Sequence, residues 1–88
     1  MINVSILTLK NAVLASIADT AYVFNTVNEI LEKSGKSLLF KVNLVGLDTH
    51  LDLNYGLFSI KPNLLINEVR QTDIIIIPSM SGDVLAAT

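Results

Sequence analysis

Hydrophobic residues fall along this chain in two rhythms, and the change between them marks its elements. Ile2, Val4, Ile6, Leu7 and Leu9 crowd the opening positions with aliphatic side chains, the composition of an inner strand. From Ala12 the period lengthens. Leu14, Ile17, Ala18, Ala21, Phe24, Val27 and Leu31 recur at three- and four-residue steps, which places them on one stripe of a helix. Lys10-Asn11 supplies the turn between the two, with Asn11 as the expected N-cap. Ser34-Gly35 closes the helix, and Gly35 suits the left-handed position just past its end.

Extended structure returns over 38–47, where Phe40, Val42 and Leu44 alternate with Lys41, Asn43 and Val45. Gly46 marks a bulge or a close approach of backbone. Strand, long helix and strand in this order predict a β-α-β unit. Two short extended pieces, 49–53 and 57–60, flank Asn54-Tyr55-Gly56 and read as a hairpin excursion. Lys61-Pro62-Asn63 breaks the pattern, because Pro62 turns Lys61 away from helical geometry. A helical turn or two is expected over 64–69. Asp73 and four consecutive isoleucines then run into Pro78-Ser79-Met80-Ser81-Gly82, as a central parallel strand does when it delivers a loop to the carboxyl edge of a sheet. Asp83 and its successors are expected to start a further helix. The fold class predicted is α/β, a flavodoxin-like, open, mostly parallel sheet.

The composition sharpens this picture. Within 88 residues the hydrophobic fraction is 51% and the mean hydropathy is +0.58, more apolar surface than one small domain easily buries. The residues therefore read as the front of a single domain, covered by further polypeptide or by a second copy. Polar residues interrupt every apolar stretch, so no membrane partner is expected. No basic leader precedes the first strand, which fits a cytoplasmic protein. There are no cysteines, which excludes disulfides, thiolate metal ligands and a cysteine nucleophile within these residues. A formal net charge of −2 gives no footprint for nucleic acid.

Several short patterns bear on chemistry. Gly35-Lys36-Ser37 ends like a phosphate loop, but Ile30 stands where its first glycine belongs, and the triplet follows a helix. An end-of-helix turn is the better reading. Asp48, His50, Asp52 and Asn54 alternate, so a strand would present them on one face as possible metal ligands. A solvated strand face is the simpler account, and no metal or cofactor is expected. Ser79 and Ser81 follow the isoleucine strand, yet no glycine precedes either as a nucleophile elbow requires. Ser16 and Asp19, near the start of the long helix, could look into a cleft at the same edge, with solvent exposure the simpler account of both. Together with Pro78, Ser79, Ser81 and Gly82 they form the candidate ligand-binding set.

The order of elements resembles the first half of a DJ-1/PfpI-type domain, within the class I glutamine-amidotransferase-like group. More narrowly, it is similar to the N-terminal sensing domain of a subgroup of AraC-family transcriptional regulators. The resemblance is carried by 6–9, Phe24 with Asn28, 42–47, Gly56, Pro62-Asn63 and 73–78. It departs where Ser16 replaces an acidic residue that supports a cysteine nucleophile in enzymatic relatives. Asp19-Thr20 stands for a Gly-Pro pair, and Pro78-Ser79-Met80 for Pro-Gly-Gly.

The resemblance implies a non-catalytic, homodimeric ligand-sensing domain of a DNA-binding transcription regulator. Its effector would be a small molecule, and DNA would be met only through a C-terminal helix-turn-helix domain following this segment. A superfamily enzyme, hydrolase, amidase or glyoxalase-like, with a cysteine beyond residue 88, is the alternative. A small self-contained dimeric interaction protein is the other.

Overall fold

The computed structural model describes residues 1–80. Its elements are β1 (Ile2–Leu7), α1 (Leu14–Lys33), β2 (Phe40–Gly46), β3 (Leu51–Leu53), β4 (Phe58–Ile60), β5 (Leu64–Leu65), a 3-10 turn (Ile66–Glu68) and β6 (Ile74–Ile76). Four strands make a parallel sheet in the order β5-β2-β1-β6, and β3 and β4 pair separately as an antiparallel hairpin. The α/β class, the β1-α1-β2 unit and the open parallel sheet are those expected. No helix of the described residues is long and apolar enough to cross a membrane.

The period of two along each strand decides which side chains are buried. Ile2, Val4 and Ile6 lie opposite Phe40, Val42 and Leu44 of β2, and Val4 and Ile6 also oppose Ile74 and Ile76 of β6. This face meets Ile17, Leu14, Ala21 and Phe24 of α1, with Leu53 and Ile60 of the hairpin in the same core. Val4 and Ile6 are wholly buried, each stabilising the fold by about 1.5–3 kcal/mol through burial alone. The Phe24 and Phe40 rings meet edge to face, 4.8 Å between centroids. The opposite face carries Asn3, Ser5 and Asn43, and Ser5 Oγ lies 2.9 Å from Thr72 Oγ1.

Both ends of α1 are informative. Asn11 is not its cap, because its φ of 71° is left-handed, whereas a capping residue is extended. Val13 takes that position without a side-chain bond. At the other end Gly35 has φ 73°. The Gly35 N–H donates to the Glu32 carbonyl at 3.0 Å and the Lys36 N–H to the Leu31 carbonyl at 2.9 Å, the two bonds of a Schellman turn. Gly35-Lys36-Ser37 is thus the end of a helix. Asn28 then ties α1 to β2: its Nδ2 donates to the Phe40 carbonyl, and its Oδ1 accepts from the Leu39 and Phe40 N–H groups, at 2.8–3.1 Å.

The second half departs further from expectation. Gly46 is the predicted close approach: a Cβ there would lie 2.6 Å from Pro62 Cγ and 2.9 Å from Thr8 Oγ1. The segment 64–69 does not open as a helix. Asn63 Oδ1 accepts the Leu44 N–H at 2.6 Å, and the Asn63 N–H donates to the Leu44 carbonyl at 3.0 Å. That holds Leu64–Leu65 in register with Val45 and Gly46 as a strand, and only the single 3-10 turn follows. The isoleucine strand is also shorter than the run that encodes it. It is the outermost strand of the described sheet rather than a central one, leaving Ile75 58% and Ile77 69% exposed.

Candidate functional site at the carboxyl edge

The connection from β1 leads through α1 to β2 on one side, and the chain later returns to place β6 on the other. The carboxyl ends of β1 and β6 therefore flank a topological switch point, where ligands of open α/β sheets bind. Here Ser16 and Ser79 meet, although 63 residues separate them. The Ser79 N–H donates to Ser16 Oγ at 2.9 Å, and the Val13 N–H donates to the Ser79 carbonyl at 2.8 Å. Ala12 and Met80 form an antiparallel bridge beside this pair. Pro78 is buried behind it, and Thr20 Oγ1 donates to the Ser16 carbonyl at 2.7 Å. The start of α1 and the exit of β6 are thereby clasped together.

Of the candidate set, Ser16, Pro78 and Ser79 are brought together. Asp19 is not among them; it is exposed on the outer side of α1, beside Tyr22 and Val23. Ser81 and Gly82, and the helix expected after them, lie outside the described residues.

Beside the clasp, cavities form a crescent around the β1–α1 loop. One of about 490 Å³ lies between the first turns of α1 and the hairpin, lined by Leu14, Ala18, Leu53 and Phe58 among others. It shares Ala12, Leu53 and Asn54 with a second, of about 430 Å³, which adds Lys10, Asn11 and Asp52. A third, of about 330 Å³ and lined by Thr8, Lys10, Asp48, His50 and Asp52, continues it over the ends of β1 and β2. The crescent is apolar at the helix end and carries a lysine, two aspartates and a histidine at the other. Left-handed residues shape it: Asn11, and Asn54, Tyr55 and Gly56 at the hairpin tip.

The 48–54 alternation forms one strand face only in part. Asp48 and His50 precede β3 in irregular backbone, and Asp52 alone of the three is within it. His50 Nε2 lies 3.7 Å from Asp52 Oδ1, both side chains being 60% or more exposed, so the pair contributes little stability. No group of three or more His, Cys, Asp or Glu that could hold a metal occurs among the described residues. Lys10, Leu53 and Phe58 of the crescent were not anticipated. The signal that points to Leu53 and Phe58 is the hairpin itself, whose apolar positions need somewhere to pack, whereas Lys10 is marked only by its place in the β1–α1 turn.

Comparison with family models, with curated proteins and with solved structures found no match to this chain.

Proposed function

We propose that this chain is the non-catalytic, ligand-sensing part of a regulatory α/β domain that acts as a cytoplasmic homodimer. The observation that carries the reading is the Ser16–Ser79 clasp at the switch point, with the amphipathic crescent adjoining it. A ligand entering the crescent from the hairpin side touches the β1–α1 loop, whose Ala12 and Val13 are bonded to the β6 exit. Occupancy can so be passed to whatever follows β6, as a population shift between two loop arrangements. The ligand chemistry that fits is a small amphipathic molecule, its apolar body against Leu14, Leu53 and Phe58 and its polar group toward Lys10 and Asp52.

The non-catalytic part of the reading rests on Ser16. Its hydroxyl oxygen accepts a backbone N–H, a structural use of the position that the resembled enzymes give to a carboxylate. The wider assignment, a DJ-1/PfpI-like sensing domain of an AraC-type regulator with DNA bound by a separate helix-turn-helix domain, rests on the sequence resemblance. The test is a titration of the 88-residue chain with a panel of small amphipathic acids, amides and alcohols, followed by amide chemical shifts. A binder is expected to move Lys10, Ala12, Leu53 and Ser79 together and to be recovered unchanged. A panel that leaves those amides still, or one whose members are turned over, would overturn the reading.

A further inference from the structure

The inner stripe of α1 is accounted for by the core, but its outer face is also partly apolar. Tyr22 is 72%, Val23 62% and Ile30 60% exposed, on the side of the helix that ordinarily carries only polar residues. Asp19, Thr26 and Lys33, also exposed, complete the same stripe. From Asp19 the steps to Val23, Thr26, Ile30 and Lys33 are four, three, four and three residues, the spacing of a seam between packed helices. Asp19, Tyr22, Val23 and Thr26 already line one shallow concavity.

The arrangement of charge selects the occupant. Asp19 and Lys33 each lie seven residues from Thr26, about 10 Å along the helix in opposite directions. Among the described residues neither makes an ion pair within the chain. A helix of the same sequence laid antiparallel, with the twofold axis passing beside Thr26, sets each Asp19 against the other copy's Lys33. Val23 and Ile30 of the two copies close the seam between those ends, with Tyr22 along its flank. A parallel pair would instead put Asp19 on Asp19 and Lys33 on Lys33. The stripe is thus complementary to itself in one orientation only.

We infer that the outer face of α1 is a self-association surface, on which a second copy of this chain packs by a shallow antiparallel α1–α1 crossing. The inference rests on the homodimeric part of the proposed function and names its surface. It leaves the carboxyl edge open, since the crescent is lined by the first turns of α1 and by the hairpin rather than by this stripe.

Sedimentation equilibrium of the full chain tests it. The wild type is expected to show a monomer–dimer equilibrium. Ile30→Glu should raise the dissociation constant roughly tenfold or more, as loss of a central apolar anchor does, with an unchanged far-ultraviolet spectrum. Asp19→Lys and Lys33→Asp should each weaken the dimer by roughly fivefold, and the double exchange should recover it, because a buried-rim pair is restored with its sign reversed. A wild type that stays monomeric overturns the dimeric reading itself. A dimer indifferent to Ile30→Glu and to both exchanges overturns the surface assignment while leaving the dimer in place. Weakening by each exchange without recovery in the double variant overturns the antiparallel register.

Discussion

The β1-α1-β2 unit and the strands β5 and β6 of the segment from residue 47 to 80 share one sheet but are held in it by different means. The first unit contains a helix of 20 residues and two strands paired over six positions. Its inward side chains are buried along a continuous face. In the second, β6 pairs with β1 over three positions and β5 with β2 over two. There, side chains bonded to distant backbone do much of the positioning: Asn63 grips Leu44, and Asp73 Oδ2 accepts the Asn3 N–H at 2.7 Å. Long elements placed by apolar periodicity form a frame; short elements pinned at single residues can shift on it. The candidate site lies on the seam between the two, so the contrast bears directly on the proposed sensing role.

Variants can break this contrast or sharpen it. Ile6→Ala removes a wholly buried side chain from the central strand and should cost about 2–5 kcal/mol, measured by urea denaturation. Gly46→Ala forces a methyl group against Pro62 and Thr8. The resulting overpacking should cost about 1–3 kcal/mol, with the largest amide shifts at residues 61–65 rather than in α1.

Asn28 and Asn63 offer a paired test, since each bonds its side chain to the backbone of β2. Asn28 is half-buried and bridges three backbone groups, whereas Asn63 is exposed and water can replace its bonds. Asn28→Ala should cost about 1–3 kcal/mol, and Asn63→Ala no more than about 1 kcal/mol. Denaturation midpoints in the reverse order would mean that the second half is fixed as firmly as the first. The smallest effect is expected from Ser16→Ala, about 0.5 kcal/mol. Its signature is local: faster exchange of the Ser79 amide, with the β1 amides unaffected.

The same contrast explains what could be read from the residues alone. Ile17, Ala21 and Phe24 declare α1 by their spacing, and Gly35 declares its end, because both signals act within a turn or two of chain. Asn54-Tyr55-Gly56 announces the hairpin for the same reason. Asn11 misleads as a cap, since its left-handed backbone belongs to the loop that carries the chain from β1 into α1. The segment 64–69 reads as helical locally, but the bonds from Asn63 to Leu44 prevail over that preference. The candidate site was legible only in part. Ser16, Pro78 and Ser79 could be named as residues of the carboxyl edge, while their contact depends on strand order. Asp19 is near them in sequence, but it lies almost a full turn further along α1 and about 60° round from the half-buried Ser16, enough to leave it exposed.

Native-state hydrogen exchange across residues 1–80 tests the central claim, a firm β1-α1-β2 frame bearing a looser second half, most directly. Amides of Val4, Ile6, Asn43 and Val45, which the register turns into the β1–β2 pairing, are expected to exchange only with global unfolding. Those of Leu53, Ile60 and Ile76 should exchange through smaller local openings, at least tenfold faster, about 1.4 kcal/mol lower in opening free energy. Equal protection in both regions, lost together as denaturant rises, would contradict the account.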